Sequence, residues 1–251
     1  MFKWLTKLRR QYILKQHPLS NTLWLDISKK LPLLRNLDRK ELKQLRKWAT
    51  LFIHSKTFTG VQGLQVTDEI RLIIAIQACL PILNLDLEYY DGWVEIVIYP
   101  NNFIVKRDVH DHNGLVHNEE RVLSGESWSR GPVILSWNEV QADSFYPTAG
   151  HNVVIHEFSH KLDMLNGRAN GMPPLHPTMH REQWTDSLSN AYTELKNDLE
   201  DAYINRYAST NPAEFFAVIS EYFFTAPETL KLHQAKVYEQ LVLFYKQNPL
   251  R

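Results

Sequence analysis

Residues 156–160, His-Glu-Phe-Ser-His, set two imidazoles and a carboxylate at a spacing that can hold a metal ion and use it. On a helix, histidines four apart project from one face about one turn apart and can share an ion. Glu157 lies one step round from His156, within reach of a water on that ion without ligating it. Zinc fits the pair. It lowers the pKa of such a water to about 7 and polarises a carbonyl, so Glu157 as general base would take the water's proton during attack. The chemistry expected is hydrolysis. The bland reading is an accidental pattern in a chain with 11 histidines. Against it stand Val153, Val154 and Ile155 just before the motif and Phe158 and Leu162 beside it, which would bury the back of the helix.

A catalytic zinc needs a third protein ligand and an open position. The three-histidine arrangement HExxHxxGxxH fails, because Asp163 stands where the glycine would be and Asn166 where the last histidine would be. A downstream carboxylate is the remaining source. Glu214 and Glu221 are seven apart on one expected helix and share nearly the same face. Glu214 could equally close a capping box behind Asn211. Glu221, among Phe215, Phe216, Ile219, Tyr222 and Phe223, would be costly without a partner such as the far N–H of a ligand histidine. Spacing leaves the choice open. Asp163 shares the face of the two histidines but is too short to reach back a full turn, so it is expected to support a ligand by a hydrogen bond or to face solvent.

The elements that must position these groups read as α+β: strands come first and helices after, with no internal repeat. Residues 1–56 are helical in pattern, with Leu31, Leu34, Leu37, Leu42, Leu45 and Trp48 on or near one face. A helix is predicted from the N-cap Thr67 to about Leu80, before Pro81. Strands are predicted over Trp93 to Tyr99 and Gly131 to Trp137, and Val109 to Arg130 reads as loop or irregular hairpin. Helices follow: one carrying the motif and ended by Gly167, one over 180–204, one from Asn211-Pro212 to about Ala226, and one from Leu230 to Tyr245.

At 251 residues the chain can bury a core without disulfides, and its single cysteine, Cys79, sits in an apolar run that suits a buried hydrophobe in a reducing compartment. Lys plus Arg and Asp plus Glu are 28 each, so there is no global field toward nucleic acid. No run of about 20 apolar residues could span a bilayer, and the N-terminus lacks the pattern of a secretory signal, so the default location is the cytoplasm. That N-terminus is basic and amphipathic, with Lys3, Lys7, Arg9, Arg10 and Lys15 preceding the first acid at Asp26. It reads as a helix packed on the body, although such helices can also lie on anionic membranes. His110, His112 and His117 could form a second metal site or a flap, but histidines around Asp111, Asn113 and Gly114 more often mark a solvated loop.

The segments CLPILNLDLEYYDGWVEIVIYP, GESWSRGPVILSW, HEFSHKLDMLNG and DAYINRYASTNPAEFFAVISEYFFTAPE closely resemble the bacterial Mlc titration factor A metallopeptidases over most of the chain. The resemblance implies a zincin-type core of the gluzincin class, similar to the lethal-factor protease. Such a core is a small mixed sheet with an HExxH helix and a glutamate-ligand helix, here 61–251, behind an N-terminal helical extension, 1–60. It implies zinc on His156, His160 and Glu214, with Tyr207, seven residues before Glu214, donating to the oxyanion and Glu221 supporting a ligand. It also implies two activities, aminopeptidase-like peptide hydrolysis and binding of the glucose-responsive repressor Mlc. The alternative is a repressor-binding protein whose zinc is only structural. The extra His110 and His112 and the shortened connection before Tyr207 depart from the family pattern and bear on substrate preference.

Overall fold

The structure, a computed structural model, describes residues 2–110, 116–129, 131–197 and 203–251, with backbone alone for residues 2, 3, 104–110 and 116–122. The basic N-terminal stretch forms helices α1 (Phe2–Gln16), α2 (Asn21–Ser28) and α3 (Arg39–Ser55). Asp38 starts α3 with a capping box: its side chain accepts from Lys40 and Glu41 N–H, and the Glu41 carboxylate accepts from Asp38 N–H. Of the apolar positions read as one helical face, Leu42, Leu45 and Trp48 share α3, whereas Leu31, Leu34 and Leu37 lie in the connection before it, where Pro32–Leu34 form a 3-10 turn; Leu31, Leu34 and Leu45 are buried and the other three half-buried.

Strand β1 (Thr57–Gly60) follows, then α4 (Asp68–Cys79), β2 (Glu95–Tyr99), a hairpin of β3 (Phe103–His110) and β4 (Val116–Leu123), the short β5 (Gly125–Ser127) and β6 (Val133–Ser136). Thr67 caps α4 by accepting from Ile70 N–H, as expected. Cys79 is fully buried, and burial pushes its thiol well above the ordinary range, which suits a packing role. The main sheet runs β1-β2-β6-β5; its first three strands are parallel and β5 is antiparallel to β6. Ile96, Ile98, Val133 and Leu135 point from β2 and β6 into the core. This mixed sheet with many helices agrees with the expected α+β class. The polar stretch read as loop or irregular hairpin is instead a regular one, with Lys106 opposite Glu120 and Arg107 opposite Glu119 in register. Such a strand lacks the apolar alternation that marks one in sequence. The side chains of His110, His112 and His117 lie outside the described residues.

The remaining chain is α5 (Trp137–Phe145), α6 (Val153–Asp163), α7 (Arg181–Asn197), α8 (Pro212–Thr225), α9 (Pro227–His233) and α10 (Ala235–Tyr245). The single last helix expected from Leu230 to Tyr245 is thus two: Gln234, at φ −135° and ψ 61°, breaks the helical path between them. Helix α6 packs against α4, α8 and β5. Phe158 on its back joins Phe52, Tyr90 and Trp93, with ring centroids 5.0–5.7 Å away. That aromatic cluster fixes the roll of α6 about its axis and hence the direction of the opposite face.

Candidate metal centre

The first turn of α6 is held before any ligand is considered. Asn152 caps it, accepting from Ile155 N–H, while Asp143 of α5 accepts from Val153 N–H at 2.7 Å. The Asn152 amide also donates to Gln77 of α4 at 2.6 Å, and Gln77 donates in turn to Ser144. Asp143 spends its second oxygen on His151 Nδ1, 2.7 Å away, and this hydrogen bond raises the imidazole pKa to about 9. Asn152 carried a visible signal, an N-cap residue three before Ile155. Asp143 had none, because it is brought in by tertiary packing alone.

From this anchored helix His156 and His160 aim their Nε2 atoms at each other, 3.2 Å apart. Glu214 reaches them from the first turn of α8, where Asn211 caps by accepting from Ala213 and Glu214 N–H. Its Oε2 lies 3.1 Å from His156 Nε2 and 3.3 Å from His160 Nε2. The capping-box alternative for Glu214 therefore fails, since its carboxylate turns toward the histidines. A tetrahedral zinc with bonds of about 2.0–2.1 Å sets its ligand atoms about 3.3–3.4 Å apart, close to every edge of this triangle. Two facing imidazole nitrogens repel unless a proton or a cation lies between them, so the donor set fits a metal ion.

Glu221, one turn pair further along α8, accepts from His156 Nδ1 at 2.8 Å and from Asn152 N–H at 2.5 Å. The partner expected for this buried carboxylate is therefore a histidine of the motif. By holding the proton on Nδ1 it leaves the Nε2 lone pair facing the triangle. Burial works against charge on His156, but the Glu221 carboxylate and hydrogen bonds donated to Glu214 and Glu221 hold its pKa well above the ordinary value. Burial also opposes the Glu214 carboxylate; hydrogen bonds and charge from both histidines outweigh it and keep the group far below the usual carboxylate range. A bound cation would take over the role these protons play.

Glu157 is buried on the next face of α6, its Oε2 has no hydrogen-bond partner among the described residues, and burial raises its pKa. With His156, His160, Glu214 and Tyr207 it lines a cleft of about 480 Å³. Tyr207 sits on the turn Arg206–Ser209, nearly half exposed, its ring centroid 6.0 Å from that of His156. Asp163 does not face solvent: it is fully buried, and its Oδ2 accepts from Asn170 and Gly171 N–H at 2.7 Å each. Gly171, at φ +76°, reaches that carboxylate through a backbone conformation other residues adopt only with strain. Asp163 thereby shapes the segment that supplies Asn170 to the cleft.

Two parts of the site were not anticipated. The strand beside the cleft is β5 (Gly125–Ser127), at the edge of its sheet, since β6 lies between β2 and β5. A methyl group built on Gly125 would lie 2.5 Å from Glu157 Oε1, 2.7 Å from its Cγ and 2.9 Å from its Cδ, so any side chain here would displace that carboxylate. Lys161 then ties the β5–β6 turn to α6, donating to Trp128 C=O and to Gly131 C=O at 2.9 Å.

This chain is matched over its full length by known proteins. It belongs to the glucose-regulated metallo-peptidase M90 family, whose profile matches residues 5–246. The protein named Mlc titration factor A in Yersinia pestis (strain Pestoides F) is 38% identical over 259 residues, covering 100% of this chain and 92% of that protein. Its namesake in Yersinia pseudotuberculosis serotype O:1b (strain IP 31758) matches with the same identity and coverage.

Proposed function

We propose that this protein is a zinc-dependent peptidase of aminopeptidase-like action, with the metal held by His156, His160 and Glu214. The observation that carries the reading is the triangle of ligand atoms with edges of 3.1, 3.2 and 3.3 Å. Zinc bound there supplies Lewis-acid polarisation of a carbonyl and makes a water molecule more acidic. Glu157, buried and with Oε2 unpaired among the described residues, takes the proton of the attacking water and passes it to the leaving amine. Tyr207, at the rim, donates its phenol hydrogen to the oxyanion of the tetrahedral intermediate. Glu221 keeps His156 in the ligating tautomer, and Asp163 holds the Asn170–Gly171 segment at the cleft wall.

As the last strand of its sheet, β5 would give a peptide substrate a strand to align with beside Glu157. This favours an extended peptide over a small ester. We also read residues 1–60 as a helical extension and 61–251 as the catalytic part, joined where β1 (Thr57–Gly60) pairs with β2 in the main sheet. The relatives' name, Mlc titration factor A, supports a second role, binding of Mlc; as part of this proposal we read Mlc as a transcriptional repressor, met in the cytoplasm, with no direct contact to nucleic acid. The name equally supports the alternative of a repressor-binding protein whose zinc is structural. Among the described residues no helix is long and apolar enough to cross a membrane.

Metal analysis of the purified protein tests the site: about one zinc per chain is expected, lost on His156→Ala or His160→Ala, because each removes one of three protein ligands. Stoichiometric zinc in the double variant would overturn the assignment.

A further inference from the structure

Helix α1 is clamped by one face only. Ile13 and Leu14 pack on the core, and Arg10 pairs with Asp86 through two hydrogen bonds of 2.7 and 3.1 Å while lying 5.4 Å over the Trp48 ring. At 100° per residue, Thr6, Arg10, Ile13 and Leu14 share this inward arc. The opposite arc is apolar as well: Trp4, Leu5, Leu8 and Tyr12 are 65%, 53%, 43% and 62% exposed. An ordinary surface helix turns polar residues outward, so four large apolar side chains on one solvent-facing arc mark a face built to be covered.

Charge says by what. Exposed Lys7, Arg9 and Lys15 lie on or beside the apolar arc; the shallow groove between α1 and α3 holds Lys7, Arg10 and Lys47 against Asp86, which Arg10 pairs, and Glu88. Residues 1–56 hold fourteen Lys and Arg against three Asp and Glu, whereas residues 57–251 hold fourteen against 25. The balanced total therefore hides a polarised molecule. We infer that α1 docks this protein, peripherally and reversibly, on an anionic phospholipid surface: Leu5 and Leu8 enter the acyl boundary, Trp4 and Tyr12 sit at headgroup level, and the basic residues meet lipid phosphates. The acidic remainder is repelled by the same surface, which orients the molecule α1-down. An acidic protein would satisfy the lysines but not the four outward apolar side chains. A nucleic acid would want aromatic rings interleaved with the cations on one face rather than leucines.

Co-sedimentation of the full chain with vesicles tests this. Binding to phosphatidylglycerol–phosphatidylcholine vesicles should exceed binding to pure phosphatidylcholine by about tenfold or more and fall as salt rises. Leu5→Ser with Leu8→Ser should lower it about tenfold or more, since both side chains leave water on docking. Lys7→Gln with Arg9→Gln and Lys15→Gln should lower it comparably through charge alone. All five positions are exposed and remote from the metal ligands, so zinc content and peptide hydrolysis in solution should stay at parental levels. Failure to bind anionic vesicles at low salt, equal binding to neutral ones, or binding indifferent to both variant sets would each overturn the inference. So would a concentration-dependent dimer that Leu5→Ser with Leu8→Ser dissociates in a chain that ignores vesicles, which would assign the face to a second copy.

Discussion

Gly125→Ala isolates the placement of the general base from the binding of the metal. The added methyl would stand 2.7 Å from Glu157 Cγ and 2.9 Å from Cδ, whereas carbon atoms settle about 3.5–4.0 Å apart. One of the two must retreat by about 1 Å, and β5 is held by β6 on its other side and by the Lys161 tether at its turn. The carboxylate moves. A misplacement of that size costs on the order of 10²-fold in rate when it falls on a reacting group. Overpacking of this kind costs about 1–3 kcal/mol, within the roughly 5–15 kcal/mol by which a domain is stable, so the variant should fold. The assay is steady-state hydrolysis of a peptide substrate alongside zinc content. The expected outcome is kcat down on the order of 10²-fold with zinc retained, because Glu157 is not a ligand. A parental rate at full zinc occupancy would refute the claim that this carboxylate, in this position, does the chemistry.

Three further outcomes are expected. Glu214→Gln should weaken zinc retention more than Glu221→Gln, which should cost about 10–100-fold in affinity as the loss of a ligand's hydrogen-bond support; competition with a chelator ranks them, and the reverse order would exchange their roles. His151 has its pKa raised to about 9 by its hydrogen bond to Asp143, so it adds stability that is fully present below about pH 6.5 and is lost as pH rises through about 9. The stability difference between parent and His151→Gln, from urea unfolding, should therefore shrink between those values, and a difference that grows with pH would contradict the assignment. Removing His110 and His112 together should leave zinc content unchanged, as a fall would bring that segment into the site.

How much of this could be read beforehand depends on how local each cause is. The motif helix was legible because its apolar residues fall on the face away from His156 and His160, and periodicity is a property of adjacent residues. Glu221 was legible in a different way: a carboxylate among phenylalanines demands a donor, and the helix spacing left few candidates. The ligand choice between Glu214 and Glu221 was not, since both sit on one face and only the approach of α8 to α6 sets which reaches Nε2 and which Nδ1. Strand β5 escaped because three residues are too few to show alternation. Gly125 escaped because its need for a bare Cα comes from a neighbour 32 positions away. The outward apolar arc of α1 was visible as amphipathicity, but the sequence could not tell the packed side from the open one.

The central claim, that the metal site is catalytic, is tested most directly by Glu157→Gln. The substitution keeps both histidines, Glu214 and the volume of the side chain while removing the base. Zinc should stay bound and peptide hydrolysis should fall by at least about 10²-fold, the low end of what a positioned acid or base contributes. Binding of an Mlc-like repressor through surface contacts should be unaffected. Hydrolysis at the parental rate with zinc in place would contradict the account and leave the metal a structural one.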